Sequence, residues 1–209
     1  MTDRAQSARH DLAFMKELAE DRGPLPSILG AHLLAVGAPY GLNVIYAWAG
    51  MRGFVPWPED WYVWSWAPGT AVYLPILAVI LFTSRGLSVG PAGRAFAAAW
   101  SGVGLMTWVI IALLAIAASR TGLVIWTIWP ALAVTLYGGA WTVIGLVRRR
   151  YWSLLVAAGC FATALSCAAL IDTPEHWLAM GLGLLLCMAV PGAAMMRMAK
   201  TAEAKSAQA

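Results

Sequence analysis

Six apolar runs, at about 28–50, 67–84, 95–118, 123–147, 153–171 and 177–196, constrain this chain more than any other feature. Each approaches or exceeds the roughly 18 to 20 residues that carry a helix across ~30 Å of hydrocarbon. A stretch such as Met106 to Ala118 is apolar on every face, whereas a barrel strand alternates apolar and polar residues over about ten positions. The runs predict an all-α polytopic membrane protein, a six-transmembrane-helix bundle. Composition agrees: 61% of the residues are hydrophobic and 11% charged, against roughly a quarter charged in a soluble domain. Too few charges remain to cover a soluble surface, so lipid must cover it.

Orientation follows from the connections, because Lys and Arg are retained on the cytoplasmic side. Arg4, Arg9, Lys16, Arg22, Arg85, Arg94, Arg148, Arg149, Arg150, Arg197, Lys200 and Lys205 fall on one side of the six runs. Of the 14 Lys and Arg, that leaves only Arg52 and Arg120 on the other. Splitting or merging any span would scramble this partition. It predicts a cytoplasmic segment over 1–27, a membrane domain over 28–196, and a polar cytoplasmic tail over 197–209. Glu59, Asp60, Asp172 and Glu175 make the outer face acidic, while the basic inner rim suits anionic lipid headgroups.

The first 27 residues contain no short apolar core followed by a small-residue cleavage site, which argues against a cleavable signal peptide. Scarce Lys and Asn beside abundant Ala, Gly and Arg suggest a bacterial source, hence the inner membrane. The basic residues form no stripe, which excludes a nucleic-acid partner from the expectations. Cys160, Cys167 and Cys187 lie inside apolar runs and read as small hydrophobes. Cys160 and Cys167 share a helix face but sit about 10 Å apart, too far to bridge each other.

Residues 8–22 read as an amphipathic helix with Ala8, Leu12, Met15 and Ala19 on one face, ended by Gly23, Pro24 and Pro26. Such a helix either lies at the inner headgroups or docks a cytoplasmic protein partner.

Two outer loops carry candidate sites. In the first, Trp57, Trp61 and Trp64 recur at helical spacing beside Glu59 and Asp60. An interfacial aromatic belt accounts for this pattern; capture of an organic cation by Trp faces and carboxylates is the functional alternative. Eight of the 12 tryptophans, Trp48, Trp57, Trp61, Trp64, Trp66, Trp126, Trp129 and Trp177, fall in the outer half. The last loop offers His176 with Asp172 and Glu175, a weak metal or acid–base candidate without diagnostic ligand spacing. No cofactor is implied.

Within the spans, Gly37 and Gly41 flank Pro39, followed by Tyr40, Asn43 and Tyr46. This cluster predicts a close helix contact or a polar-lined cavity with Tyr40 and Asn43 as ligand-binding candidates. Pro39, Pro75, Pro130 and Pro191 are expected to kink their helices. No Asp, Glu, Lys or Arg lies inside a span, and no HExxH or GxSxG motif occurs. The expectation is a non-enzymatic protein that acts by binding, as a sensor, regulator or accessory subunit. A transporter or channel for a small apolar or cationic solute is the alternative.

Overall fold

The computed structural model describes residues 27–56, 66–83, 91–121 and 125–206. The expected helix over 8–22 and the loop carrying Trp57, Glu59, Asp60, Trp61 and Trp64 lie outside the described residues. Every regular element among the described residues is helical. These are α1 (Ser27–Met51), α2 (Ala67–Thr83), α3 (Pro91–Thr121), a 3-10 turn (Ile125–Ile128), α4 (Trp129–Val147), α5 (Tyr151–Ala169), α6 (Glu175–Leu184), a π-helical turn (Leu185–Ala189) and α7 (Val190–Ser206). Five helical stretches are long and apolar enough to cross a membrane, with Glu175–Thr201 running through α6, the π turn and into α7. The apolar helix α2 is shorter, at 17 residues.

Two of the four prolines act differently from the expected kinks. Pro130 sits in the first turn of α4, where its missing N–H would have no intrahelical partner anyway. It therefore starts a helix, and the fourth apolar run divides into a 3-10 turn and α4. Pro191 is the second residue of α7, just past the π turn. There the ladder has already shifted to longer bonds, so a residue without an N–H disturbs less than in a regular helix. Helices α1 and α2 continue through Pro39 and Pro75.

Helices α4 and α5 are joined by a tight turn of three arginines. The Arg150 N–H donates to the Gly145 carbonyl at 3.0 Å and that of Arg149 to Leu146 at 3.4 Å. This is a Schellman-type end, and it puts Arg149 at φ 49°, where glycine is usual. The left-handed conformation costs about 1 kcal/mol without glycine. Cationic residues here complement the carbonyl end of the α4 dipole.

Lipid tails are as apolar as leucine, so helices in a membrane associate through close packing rather than through hydrophobic transfer. The tightest packing joins α1 to α6 and α7. A methyl placed on Gly30 would lie 2.7 Å from the Gly192 carbonyl oxygen, and one on Gly192 would lie 2.6 Å from that of Gly30. Further along, a methyl on Gly37 would meet the backbone of Ala189 and Leu184, and one on Gly181 would lie 2.9 Å from the Gly41 oxygen. The expected Gly37 and Gly41 contact is thus part of an antiparallel seam whose other side is supplied by Gly181, Ala189 and Gly192.

A second antiparallel pair, α4 and α5, uses the same device: the Phe161 ring lies over Gly138, and Leu154 over Gly145. The π turn turns Cys187 toward α5, where its Sγ would lie 3.0 Å from a methyl on Gly159. All three cysteines are free and buried. The buried core, including Leu33, Val44, Trp141, Cys160, Leu184, Met188 and Met195, comes from α1 and α4 through α7. Helices α2 and α3 flank it. Helix α2 leans chiefly on α1, and α3 chiefly on α4.

Gly37→Ala is expected to lose about 1 to 3 kcal/mol of stability through overpacking against backbone that cannot move aside. A methyl on Gly102 meets nothing within 4 Å, so Gly102→Ala should stay within about 0.5 kcal/mol of the parent. Denaturant titration of both variants in lipid nanodiscs checks the contrast.

Candidate ligand-binding cavity

Because α2 and α3 rest on different neighbours, a cavity of about 450 Å³ remains between them and the core helices. Small-molecule sites typically span roughly 300 to 1,000 Å³. Each wall is one helical stripe. Helix α1 supplies His32, Leu33, Val36 and Tyr40, and α2 supplies Thr70, Tyr73 and Leu74, with Trp66 just ahead of it. Helix α3 supplies Trp100, Val103, Gly104, Thr107, Trp108 and Ile111, whose three-to-four-residue spacing puts them on one face. Helix α4 adds Trp129, Ala133 and Tyr137, and the last span adds Met180, Leu184 and Met188, each four residues apart.

Aromatic rings make up two of its walls. On one, Tyr73 meets His32 edge-on with ring centroids 5.7 Å apart, Tyr40 lies 6.0 Å from both Tyr73 and Trp66, and Trp66 lies 5.8 Å from Trp177. On the other, Trp100 stacks on Tyr137 at 5.9 Å with 30° between planes, and stands edge-on to Trp141 at 6.0 Å. Trp141 is fully buried and meets Trp152 at 5.5 Å. Such offset and edge-on pairs contribute about 0.5 to 1.5 kcal/mol each beyond their buried area. The bulk of Trp100 and Tyr137 between α3 and α4 keeps α3 from closing onto the core.

The polar groups are few and specific. The Thr70 hydroxyl donates to the Trp66 carbonyl at 2.9 Å, so the 2.7 Å contact between Tyr40 Oη and Thr70 Oγ1 is donated by tyrosine. Gly69 leaves room for the Tyr40 ring, since a methyl there would lie 2.7 Å from its Cδ1. Thr107 Oγ1 is buried without a hydrogen-bond partner. No side chain among the described lining residues carries a formal charge at neutral pH apart from any protonated His32.

Leu74 and Trp108 both line the cavity, yet are 53% and 69% exposed. Both sit near the middle of their helices, so the described lining reaches the surface at mid-helix height.

Of the residues singled out in the sequence, Tyr40 lines this cavity. Asn43 is not in the lining, and its half-buried side chain leaves Nδ2 without a hydrogen bond. The His176, Asp172 and Glu175 group is divided. His176 is 2% exposed, and its Nδ1 donates to the Cys167 carbonyl at 2.8 Å. Glu175 pairs with Arg52 across the α1 and α6 ends, and Asp172 is exposed. Among the described residues no three His, Cys, Asp or Glu side chains come together as a metal site. Trp100, Thr107, Tyr73 and Tyr137 were not among the candidates. Their one signal was helical spacing within runs that are apolar all round.

Comparison of the chain with protein-family models, curated proteins and solved structures gave no match.

The Tyr40 to Thr70 bond is the polar clasp between α1 and α2. A double-mutant cycle with Tyr40→Phe and Thr70→Val should give a coupling energy of about 0.6 to 1.7 kcal/mol, the range of interhelical bonds in membranes. Unfolding of the four proteins in nanodiscs supplies the cycle.

Proposed function

We propose that this chain is a non-enzymatic integral membrane protein that works by binding a small lipid-soluble molecule, as a sensor, regulator or accessory subunit. The observation that carries this reading is the cavity of about 450 Å³ whose lining reaches the surface at mid-helix height, at Leu74 and Trp108. A molecule dissolved in the bilayer reaches such a site without passing through water. Two methionines on the cavity floor, Met180 and Met188, suit an adaptable apolar site.

In this reading the chain crosses a bacterial inner membrane six times, with both termini in the cytoplasm and α2 as the second span. The lysine and arginine partition supports that topology. So does the pairing of Arg52 with Glu175, which joins two residues that the charge count assigns to one side. Ser27, Thr83 and Lys200, assigned to the other side, surround a smaller cavity at the opposite end of α1. Residues 8–22 would carry the signal to a cytoplasmic partner.

Ala133 is 4% exposed and forms part of the cavity wall, so Ala133→Phe should fill the space. Native mass spectrometry of nanodisc-embedded protein is expected to show a lipid-soluble molecule retained near one per chain. The filled variant, matched for unfolding midpoint, should lack it. Identical bound mass in both proteins would contradict the reading.

A further inference from the structure

We infer that the cavity receives the ring of a membrane-soluble quinone, a neutral planar ligand with hydrogen-bond acceptors at opposite edges; this rests on the binding reading above.

Three observations select that chemistry. First, α1, α2, α3 and α4 all contribute aromatic rings to the lining. A flat ring gains offset stacking against such side chains. Second, described donors stand on both walls with capacity to spare. The Tyr73 and Tyr137 hydroxyls have no hydrogen bond to another described group. Tyr73 stands on α2, whereas Tyr137 stands on α4. A carbonyl at each edge of one ring would accept from both hydroxyls at once. Phenol hydroxyls donate strongly, which favours an acceptor ligand over a donor.

Third, the described lining offers no carboxylate to balance a cation. An ammonium or phosphonium ion drawn in by ring faces alone would lose its hydration in exchange for ~2 kcal/mol of cation–π attraction per ring. A quinone bears no such penalty. Its tail would pass beside Leu74 and Trp108, the exposed lining residues at mid-helix height, into the acyl chains.

The test uses the full chain in nanodiscs titrated with a short-tailed benzoquinone, read as quenching of tryptophan fluorescence. A parallel titration uses tetraphenylphosphonium. Saturable quenching by the quinone is expected, absent in Ala133→Phe. Tyr137→Phe keeps the ring on Trp100, and Tyr73→Phe keeps the ring beside Tyr40. Each should weaken quinone binding about three- to tenfold, as loss of one hydrogen bond does. Saturable binding of the phosphonium in place of the quinone would overturn the inference while leaving a ligand site in the cavity. Quenching that never saturates and is equal in Ala133→Phe would also overturn it, since it reports only partition into lipid. Equal bound mass in the parent and the filled variant would remove the binding reading itself.

Discussion

The close approach of α1 to the last span is the contact on which the rest of this structure depends. Gly30, Gly37 and Gly41 face Gly192, Ala189 and Gly181 so closely that added methyl groups would meet backbone atoms. In lipid, where apolar surface gains nothing by leaving its solvent, dispersion contacts between backbones and weak Cα–H to carbonyl bonds hold helices together. The seam joins the first and last spans and so closes the core. The neighbouring stripe of α1, with Leu33, Val36 and Tyr40, is thereby turned toward the bundle interior.

The cavity is the complement of that seam. Small residues draw α1, α6 and α7 together, whereas large rings on the other side hold helices apart. Trp100 against Tyr137 spaces α3 from α4, and the Tyr40, Tyr73 and Trp66 cluster spaces α2 from the rest. Residue size thus divides the bundle into a closed half and an open half. The π turn at Leu185–Ala189 lies against both, with Cys187 on the α5 side and Met188 at the cavity floor. An extra residue in the turn changes which side chains face each neighbour, and Pro191 follows it where the ladder is already interrupted.

Much of the architecture was legible in the order of residues. Long apolar runs identify the helices, and Gly37 with Gly41 marks a packing face before its partner is known. That partner could not be read, because pairing α1 with the last span is a matter of helix order, and Gly181 and Gly192 are ordinary glycines in isolation. The fourth run looked like one span, yet Pro130 suits a helix start as well as a kink, and only the structure chooses. The cavity was the least legible feature. Helices α2 and α3 are apolar on every side, so no amphipathic face shows where Tyr73, Thr107 or Trp108 point. Tyr40 was found only because it lies beside the glycines. His176 read as a loop residue because Asp172 and Pro174 surround it, but its side chain turns inward to the Cys167 carbonyl.

Access to the cavity from lipid is the central claim, and electron paramagnetic resonance of a nitroxide at position 107 measures it most directly. With the native cysteines replaced by alanine, a Thr107→Cys label in nanodiscs should collide freely with oxygen, which concentrates in the bilayer, and poorly with a water-soluble nickel chelate. Strong relaxation by the nickel chelate would instead indicate an aqueous pathway of the kind a transporter or channel needs. Shielding from both agents would contradict the open cavity itself.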